Sequence, residues 1–233
     1  WIDFVDDINV SRALLDAVEQ YGREKGMTHV VGPLGFTDMD PEGMLTMGFD
    51  QLGTMATIYN YDYYPKHMER LGGFEKDNDY VEFKLFVPKT VPEKYAKVAS
   101  LIEKRYNLHV KKLTKREIFK EGYGRRIFEI INETFAGLYG YSELSDKQIE
   151  QYIGMYFPMA DLDLITLIED WNADKKIVGV GITLPSLAKA LQKCRRGRLT
   201  PFGWWHILRA LKFGHTKIVD LLLVGILPEY RAK

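Results

Sequence analysis

The stretch KIVDLLLVGILPEYRAK, residues 217–233, decides the fold because it joins an apolar run to a polar turn. A short continuous apolar run bounded by turn residues is typical of a buried strand. Pro228 ends the run, since proline lacks the N–H group that a strand ladder needs. Tyr230 and Arg231 follow at once. The residues therefore predict a strand whose exit carries an aromatic ring and a positive charge, an arrangement that suits an anion.

The elements before this strand predict an α/β fold. Residues 116–139 carry apolar side chains at helical spacing, and Ser145 with Gln148 has the spacing of a capping box that begins another helix. Two apolar stretches, residues 162–170 and 175–184, flank the turn WNAD and predict a β-hairpin. We therefore expect a mixed, mostly antiparallel sheet flanked by helices.

The composition is that of an ordinary globular protein and excludes several functional classes. Of 233 residues 46% are hydrophobic, and 32 Lys and Arg balance 32 Asp and Glu, so no overall field attracts a polyanion. The single cysteine, Cys194, excludes an internal disulfide and a cysteine-rich metal site and favours a reducing compartment. The five histidines lack metal-ligand spacing, so we predict no metal. No run reaches the roughly 20 apolar residues of a membrane helix.

The order helix, helix, strand, strand and then a strand ending in VGILPEYRAK resembles the front half of a GNAT-superfamily acyltransferase. In that family the strand pairs its exposed backbone groups with the pantetheine arm of acyl-CoA, and a glycine-containing loop offers N–H groups to the pyrophosphate. The resemblance implies acetyl-CoA as the acyl donor and no nameable catalytic side chain. It places donor binding on six residues: Val224, Gly225 and Ile226 on the strand, and Arg231, Ala232 and Lys233 in the loop. The family's glycines would come next, which predicts that the loop continues.

The first half of the chain resembles the other end of the same family. Its pattern predicts strands at residues 1–5, 28–36 and 79–87, and an amphipathic helix from Val10 that ends near Gly26. An asparagine, an aromatic-rich helix and a Leu-Gly-Phe turn match the family's closing pattern; the matching residues are Asn60, Leu71, Gly72 and Phe74. The chain is thus similar to bacterial two-module GNAT-like proteins, but as a back half followed by a front half.

This resemblance implies three regions. Residues 1–90 would be the C-terminal part of a first module, residues 91–115 a joint and helix, and residues 116–233 the N-terminal part of a second module. The two prolines in PKTVP, after the strand predicted at the end of the first region, favour a joint there.

The first module departs from the family at the loop that would receive the pyrophosphate. Asp6 and Asp7 stand there in place of glycines and cations. At about 4 Å a like-charge pair costs on the order of 1–4 kcal/mol, so we interpret this module as degenerate. Carboxylates at this point would also complement a helix dipole. The family often places a tyrosine on its aromatic helix to protonate the leaving thiolate, and here that position falls near His67, with Tyr63 and Tyr64 one turn earlier.

Two other stretches carry weaker functional signals. KCRRGR, residues 193–198, followed by Trp204 and Trp205, has the composition of a nucleic-acid or anionic-membrane contact, but a solvated connection between helices is the preferred interpretation. The turn at residues 37–45 has three carboxylates that could supply a general base for an amine, although an exposed turn explains them more simply; they are Asp38, Asp40 and Glu42.

The resemblance therefore implies an acyl-CoA-dependent N-acyltransferase that moves an acetyl group to a small-molecule or peptide amine. The alternative is a catalytically inactive GNAT-like binding or scaffolding protein, which the acidic Asp6 and Asp7 support. We expect a cytoplasmic protein with neither a nucleic acid nor a membrane as partner, and a homodimer is the assembly to be considered.

Overall fold

A computed structural model describes the chain in five ranges: residues 1–37, 39–54, 56–158, 160–213 and 217–232. The backbone divides into two compact units, Trp1–Glu82 and Phe83–Lys233. The boundary between them falls inside the strand predicted at residues 79–87. None of the helices in the described ranges combines the length and the hydropathy that crossing a bilayer requires.

Two helices organise the first unit: α1 (Ile8–Glu24) and α2 (Tyr63–Leu71). The Asp7 side chain begins α1 by accepting a hydrogen bond of 2.8 Å from the backbone N–H of Asn9. The chain leaves α1 at Gly26, whose φ of +71° lies in the left-handed region that glycine adopts without strain. The helix predicted from the sequence is therefore confirmed.

The buried face of α1 is not the one that its apolar residues would favour. Its buried residues are Ser11 and Gly22. The four largest members of the apolar stripe are exposed: Val10, Leu14, Val18 and Tyr21. Packing of α1 within this unit is consequently decided by a small polar residue and a glycine.

The three strands predicted in the first half were wrong. The described residues at 1–5, 28–36 and 79–87 take part in no strand ladder. Alternating apolar residues form a strand only when a neighbouring strand satisfies their backbone groups. Phe4, which belongs to the first of these segments, is buried instead against α2, where its ring stacks on Tyr64 at a centroid distance of 4.2 Å.

The second unit begins with four helices and one short strand. In chain order they are α3 (Glu93–Tyr106), β1 (Leu108–Lys111), α4 (Lys115–Lys120), α5 (Tyr123–Phe135) and α6 (Asp146–Tyr156). Ser145 and Gln148 form the predicted capping box at the start of α6. The predicted stripe of α5 is also confirmed, because Ile127, Ile130 and Ile131 are buried.

The remaining strands and helices complete one sheet. They are β2 (Ile165–Asp170), β3 (Lys176–Pro185), α7 (Ala188–Lys193), α8 (Gly203–Lys212) and β4 (Val219–Ile226). The four strands lie in the order β1-β2-β3-β4 and every neighbouring pair is antiparallel. The described part of the chain is therefore a mixed α/β structure, and the predicted hairpin of β2 and β3 is confirmed.

Helix α5 covers one face of the sheet at β3 and β4. The core of this unit consists of aliphatic side chains from the helix and from three strand regions, including Ile127, Ile131, Leu167, Val180 and Leu227. Burial of a side chain of this size contributes about 1.5–3 kcal/mol. This core holds β4 in place at the end of the sheet.

Candidate functional site

Strand β4 is an edge strand among the described residues, because β3 is its one neighbour in the sheet. Its register runs from Gly179 opposite Ile226 to Pro185 opposite Val219, with an irregularity between Ile182 and Thr183. An edge strand presents a row of backbone donors and acceptors to any extended ligand that carries amides.

The alternation of an antiparallel pair decides which backbone groups of β4 face outward. The N–H of Leu227 donates to the Val178 carbonyl at 3.0 Å, so Leu227 points its backbone groups toward β3. Successive residues alternate in direction. Gly225 therefore points inward, and Val224 and Ile226 point their N–H and C=O groups away from β3. The side chains of Val224 and Ile226 are 51% and 39% exposed.

Gly225 has a packing role that its backbone position does not reveal. A Cβ atom at this residue would lie 2.4 Å from the Oγ1 of Thr134 on α5, far inside van der Waals contact. The absence of a side chain lets α5 approach β4 closely. Of the three residues predicted to meet pantetheine, Val224 and Ile226 thus offer outward backbone groups, while Gly225 keeps the helix and the strand together.

The turn after β4 is held to the sheet by three of its residues. The Tyr230 hydroxyl donates to the Oδ2 of Asp170 at 2.7 Å, and the Nζ of Lys176 lies 3.3 Å from the Oε1 of Glu229. The Arg231 side chain donates from Nε to the Ile226 carbonyl at 3.0 Å and from Nη2 to the Thr134 carbonyl at 3.2 Å. Each of these partners is distant from the turn in sequence or lies back along β4.

The electrostatics of this turn favour a neutral phenol beside a guanidinium. The hydrogen bond to the Asp170 carboxylate, together with burial, raises the pKa of Tyr230 to about 12. The Asp170 residue is itself buried at the end of β2, where its Oδ1 accepts the N–H of Asn172 at 2.8 Å. Arg231 and Ala232 are exposed in the turn, and Lys233 lies outside the described residues.

A second constellation lies in the first unit, where α1 and α2 meet. The Nε2 of His67 is 3.0 Å from the Oδ1 of Asp6, and its Nδ1 is 3.0 Å from the Oγ of Ser11. The rings of Phe4 and Tyr63 lie against the imidazole at centroid distances of 5.4 Å each. The order carboxylate, imidazole, hydroxyl resembles the arrangement of a nucleophilic triad.

Accessibility excludes that chemistry in this conformation. Ser11 is 0% exposed and also donates to the Ile8 carbonyl at 3.1 Å. A substrate carbonyl cannot reach a hydroxyl that is completely covered. The Asp6, His67 and Ser11 side chains therefore hold α1 and α2 together, and we call these three residues the lock. Asp7 has a different role, because it caps α1.

Sequence reasoning missed a buried polar cluster at the start of α5. Glu169 on β2 is 4% exposed and accepts a hydrogen bond of 2.9 Å from the Tyr123 hydroxyl. Burial, followed by the hydrogen bond to Glu169, raises the pKa of Tyr123. Beside it Lys111 pairs with Glu117, whose pKa this pairing lowers to about 2. The Thr114-x-x-Glu117 capping box was a signal for part of this cluster.

Of the three carboxylates predicted in the turn at residues 37–45, Asp40 occupies a structural position. Asp40 accepts backbone hydrogen bonds from Phe36 and Thr37 at 2.9 and 3.1 Å and so closes its own turn, while Asp38 lies outside the described residues. Among the histidines His215 is also outside them. In the described ranges no three His, Cys, Asp or Glu side chains come close enough together to hold a metal ion.

Comparisons with known proteins give two relatives of low identity. The chain is 24% identical over 237 aligned residues to "Bacterial ceramide synthase" of Caulobacter vibrioides (strain NA1000 / CB15N), covering 97% of the chain. It is 24% identical over 233 residues to "Protein YghO" of Escherichia coli (strain K12), covering 99% of the chain. The chain spans 57% of the length of each of these curated relatives. No protein-family model and no solved structure matches the chain.

Proposed function

We propose that this chain is part of an acyl-CoA-dependent N-acyltransferase of GNAT-like architecture that works in the cytoplasm. The outward edge of β4, followed by the Tyr230 and Arg231 turn, carries this proposal. An edge strand can pair with the amides of pantetheine, and a cation placed just beyond the strand end suits the diphosphate of coenzyme A.

Some of the predicted residues are placed to contact the acyl donor and others are not, and this distinction identifies the groups to test. Val224 and Ile226 direct backbone N–H groups outward, and the Ile226 carbonyl on the same edge already accepts from Arg231. Arg231 is therefore fixed at the end of the edge while its charge stays at the surface. Gly225 and the half-buried Tyr230 hydroxyl would support the site without contacting the donor.

The chemistry would be a direct transfer. The lone pair of an unprotonated amine attacks the thioester carbonyl carbon, an N–C bond forms, the C–S bond breaks, and the thiolate of coenzyme A leaves and takes up the proton that the amine loses. An outward N–H of β4 would stabilise the negative charge that develops on the carbonyl oxygen. We assign no general acid or base among the described side chains.

The name of one relative supports an amine acceptor with a lipid character. A ceramide is an amide of a fatty acid with a long-chain amino alcohol, so a ceramide synthase forms the type of bond proposed here. The sequence predicted an acetyl group, whereas this name favours a long acyl chain. The acyl chain is therefore the first variable to examine.

Acyl transfer can be measured as free thiol released from acetyl-CoA or palmitoyl-CoA, with and without a long-chain amino alcohol or a short primary amine. We expect release that depends on the amine. An Ile226→Pro variant, which deletes an outward N–H and leaves the β3 ladder intact, should raise the KM for the acyl donor roughly tenfold.

Strand β1 offers a matched control at the opposite edge of the sheet. The Asn107 carbonyl accepts the N–H of Trp171 at 3.1 Å, so the alternation directs the N–H of Val110 outward. A Val110→Pro variant should leave the KM unchanged. Equal effects of the two prolines, or no binding of coenzyme A by the unaltered protein in calorimetry, would refute the donor site.

The second candidate function is an inactive binding or scaffolding protein. The observation in its favour is that Asp6 and Asp7, where the resemblance would place a diphosphate, are anionic and engaged with His67 and with the start of α1. Binding of coenzyme A without thiol release from any donor and amine pair would support this candidate over the transferase.

A further inference from the structure

We propose that residues 186–213 and 217, which we call the cationic segment, form a docking surface for an anionic lipid membrane. The segment connects β3 to β4 and contains α7 and α8. It has eight Lys and Arg residues and none of the chain's 32 acidic residues. In a chain with a formal net charge of zero, such a concentration makes one local patch attractive to an anionic surface.

The structure exposes at least six of these eight cations. Lys189, Lys193, Arg195 and Arg198 are exposed on and after α7, and Arg209 and Lys212 are exposed on the last turn of α8. The Cys194 sulfur, 3.3 Å from the carbonyls of Ala190 and Gly203, lies in the buried contact between the two helices. The small residues pack the pair together, so the long cationic side chains remain outside.

Large apolar side chains are exposed in the same segment. Phe202 is 72% exposed, and the residues Trp204 and Trp205 are 50% and 44% exposed. Trp205 contacts Trp204 and Phe213 at centroid distances of 5.8 and 6.0 Å. Leu191 and Leu199 add exposed aliphatic surface. Tryptophan and phenylalanine beside lysine and arginine are the side chains that place a helix in the headgroup region of a bilayer.

A nucleic acid would use the same charges in a different way. Single-stranded nucleic acids need aromatic faces for stacking and gain nothing from leucine, whereas a bilayer interface accepts aromatic and aliphatic groups alike. The mixture of exposed Leu, Phe and Trp therefore favours lipid. This proposal does not depend on the proposed transferase activity, since it rests on the exposure and charge of the cationic segment alone.

The test is co-flotation of the whole protein with vesicles of phosphatidylcholine alone or of phosphatidylcholine mixed with phosphatidylglycerol. We expect binding to the anionic vesicles, weakened by added salt. An Arg195→Glu and Arg198→Glu double variant should lose at least about 30-fold in affinity, since each cation near such a surface contributes measurably. A double variant of α3, Lys94→Glu and Lys104→Glu, has the same net charge and should bind like the unaltered protein.

A Trp204→Ala and Trp205→Ala variant tests the apolar part of the lipid contact. With all charges retained, it should bind anionic vesicles about tenfold more weakly, because the buried apolar area is lost. Circular dichroism of each variant checks that the helices persist. The proposal is overturned if the protein ignores anionic vesicles, if the α3 control loses as much affinity, or if a DNA oligonucleotide binds more tightly than the vesicles and the tryptophan variant binds vesicles normally.

Discussion

In the first unit the chain passes from the apolar residues Ile2, Phe4 and Val5 to Asp6 and Asp7, and in the second it passes from β4 to Glu229, Tyr230 and Arg231. Both exits are held by side-chain hydrogen bonds, but with opposite consequences. Asp6 binds His67 and Asp7 caps α1, so the first exit is acidic. Tyr230 and Arg231 bind Asp170 and two backbone carbonyls, and Glu229 pairs with Lys176, so the Arg231 guanidinium makes the second exit locally cationic. Similar anchoring therefore supports opposite charge.

This difference favours the second exit as the position of the proposed site, because its charge is opposite to that of a diphosphate. A diphosphate would meet two carboxylates at the first exit, and a guanidinium beside the outward edge of β4 at the second. Anchoring alone does not distinguish a binding site from a structural turn. Substitutions can separate the two roles. Reversing the charge of Arg231 tests whether the second exit binds a ligand, and removing the His67 side chain tests whether the first exit is structural.

The largest effect should come from Arg231→Glu. The variant loses two hydrogen bonds to carbonyls and places a carboxylate where the diphosphate is proposed, so affinity for coenzyme A should fall roughly 100-fold. Isothermal titration calorimetry measures the change. Arg105→Glu on α3 alters the net charge equally and should leave the affinity within a factor of about two. If both variants bind as the unaltered protein does, Arg231 has only a structural role.

The next largest effect should be a loss of stability when the contact between α1 and α2 at Asp6, His67 and Ser11 is broken. His67→Ala removes a buried ring that stacks on Phe4 and leaves Ser11 without a side-chain partner, so the first unit should lose about 3 kcal/mol of stability. Hydrogen exchange read segment by segment should show faster exchange in α1 and α2 and unchanged exchange in β2 and β3. Equal loss of protection in β2 and β3 would contradict a lock confined to the first unit.

The contact between α5 and β4 at Gly225 should be the next most sensitive to substitution. Gly225→Ala places a methyl group 2.4 Å from Thr134 Oγ1 and should lower the free energy of unfolding by about 1–3 kcal/mol. Gly181→Ala is the control, because a Cβ at that position of β3 meets nothing within 4 Å. Thr134→Ala, which removes the Oγ1 atom, should recover part of the loss in the Gly225→Ala background. Similar midpoints in urea for the Gly225 and Gly181 variants would argue against the close approach.

The parts of the fold that the sequence predicts are those that local pattern decides. The hairpin of β2 and β3 follows from apolar runs around a turn, and α6 follows from its capping box. Strand β1 was missed because LHVK alternates too briefly to be distinguished from a helix end. The first-half strands were predicted wrongly because alternation indicates that a segment can pair and does not supply its partner.

Strand β4 and its exit could be located from the sequence, but the contacts that hold them could not. The apolar run and Pro228 identify β4 and its exit, and the resemblance names Val224, Ile226 and Arg231. The interactions that hold them join residues far apart in sequence, such as Tyr230 with Asp170 and Arg231 with Thr134. No local pattern contains such pairs. Gly225, which the resemblance assigns to pantetheine, also lies against Thr134 of α5, a contact that the local sequence does not indicate.

The smallest effect concerns two tyrosines, Tyr64 at the first exit and Tyr230 at the second. Their pKa values are raised to a similar level, but by different main causes. Tyr64 donates to Asp3 in the first unit as Tyr230 donates to Asp170 in the second, and both phenols have their pKa raised from 10.0 to about 12. Burial is the larger cause for Tyr64, whereas the carboxylate is the larger cause for Tyr230. Asp170→Asn should therefore lower the Tyr230 pKa more than Asp3→Asn lowers that of Tyr64.

The sign of the pH dependence follows from the direction of both shifts. A folded-state pKa above the unfolded value means that the folded protein holds the phenolic proton more tightly, so this stabilisation is complete below pH 10.0 and is lost as the pH rises to about 12. Urea unfolding across this window should show the loss, and Tyr64→Phe and Tyr230→Phe should each reduce it. Tyrosinate absorbance of the two asparagine variants then ranks the causes. An equal fall in both pKa values would mean that the carboxylates anchor the two exits in the same way, and that the exits differ in charge alone.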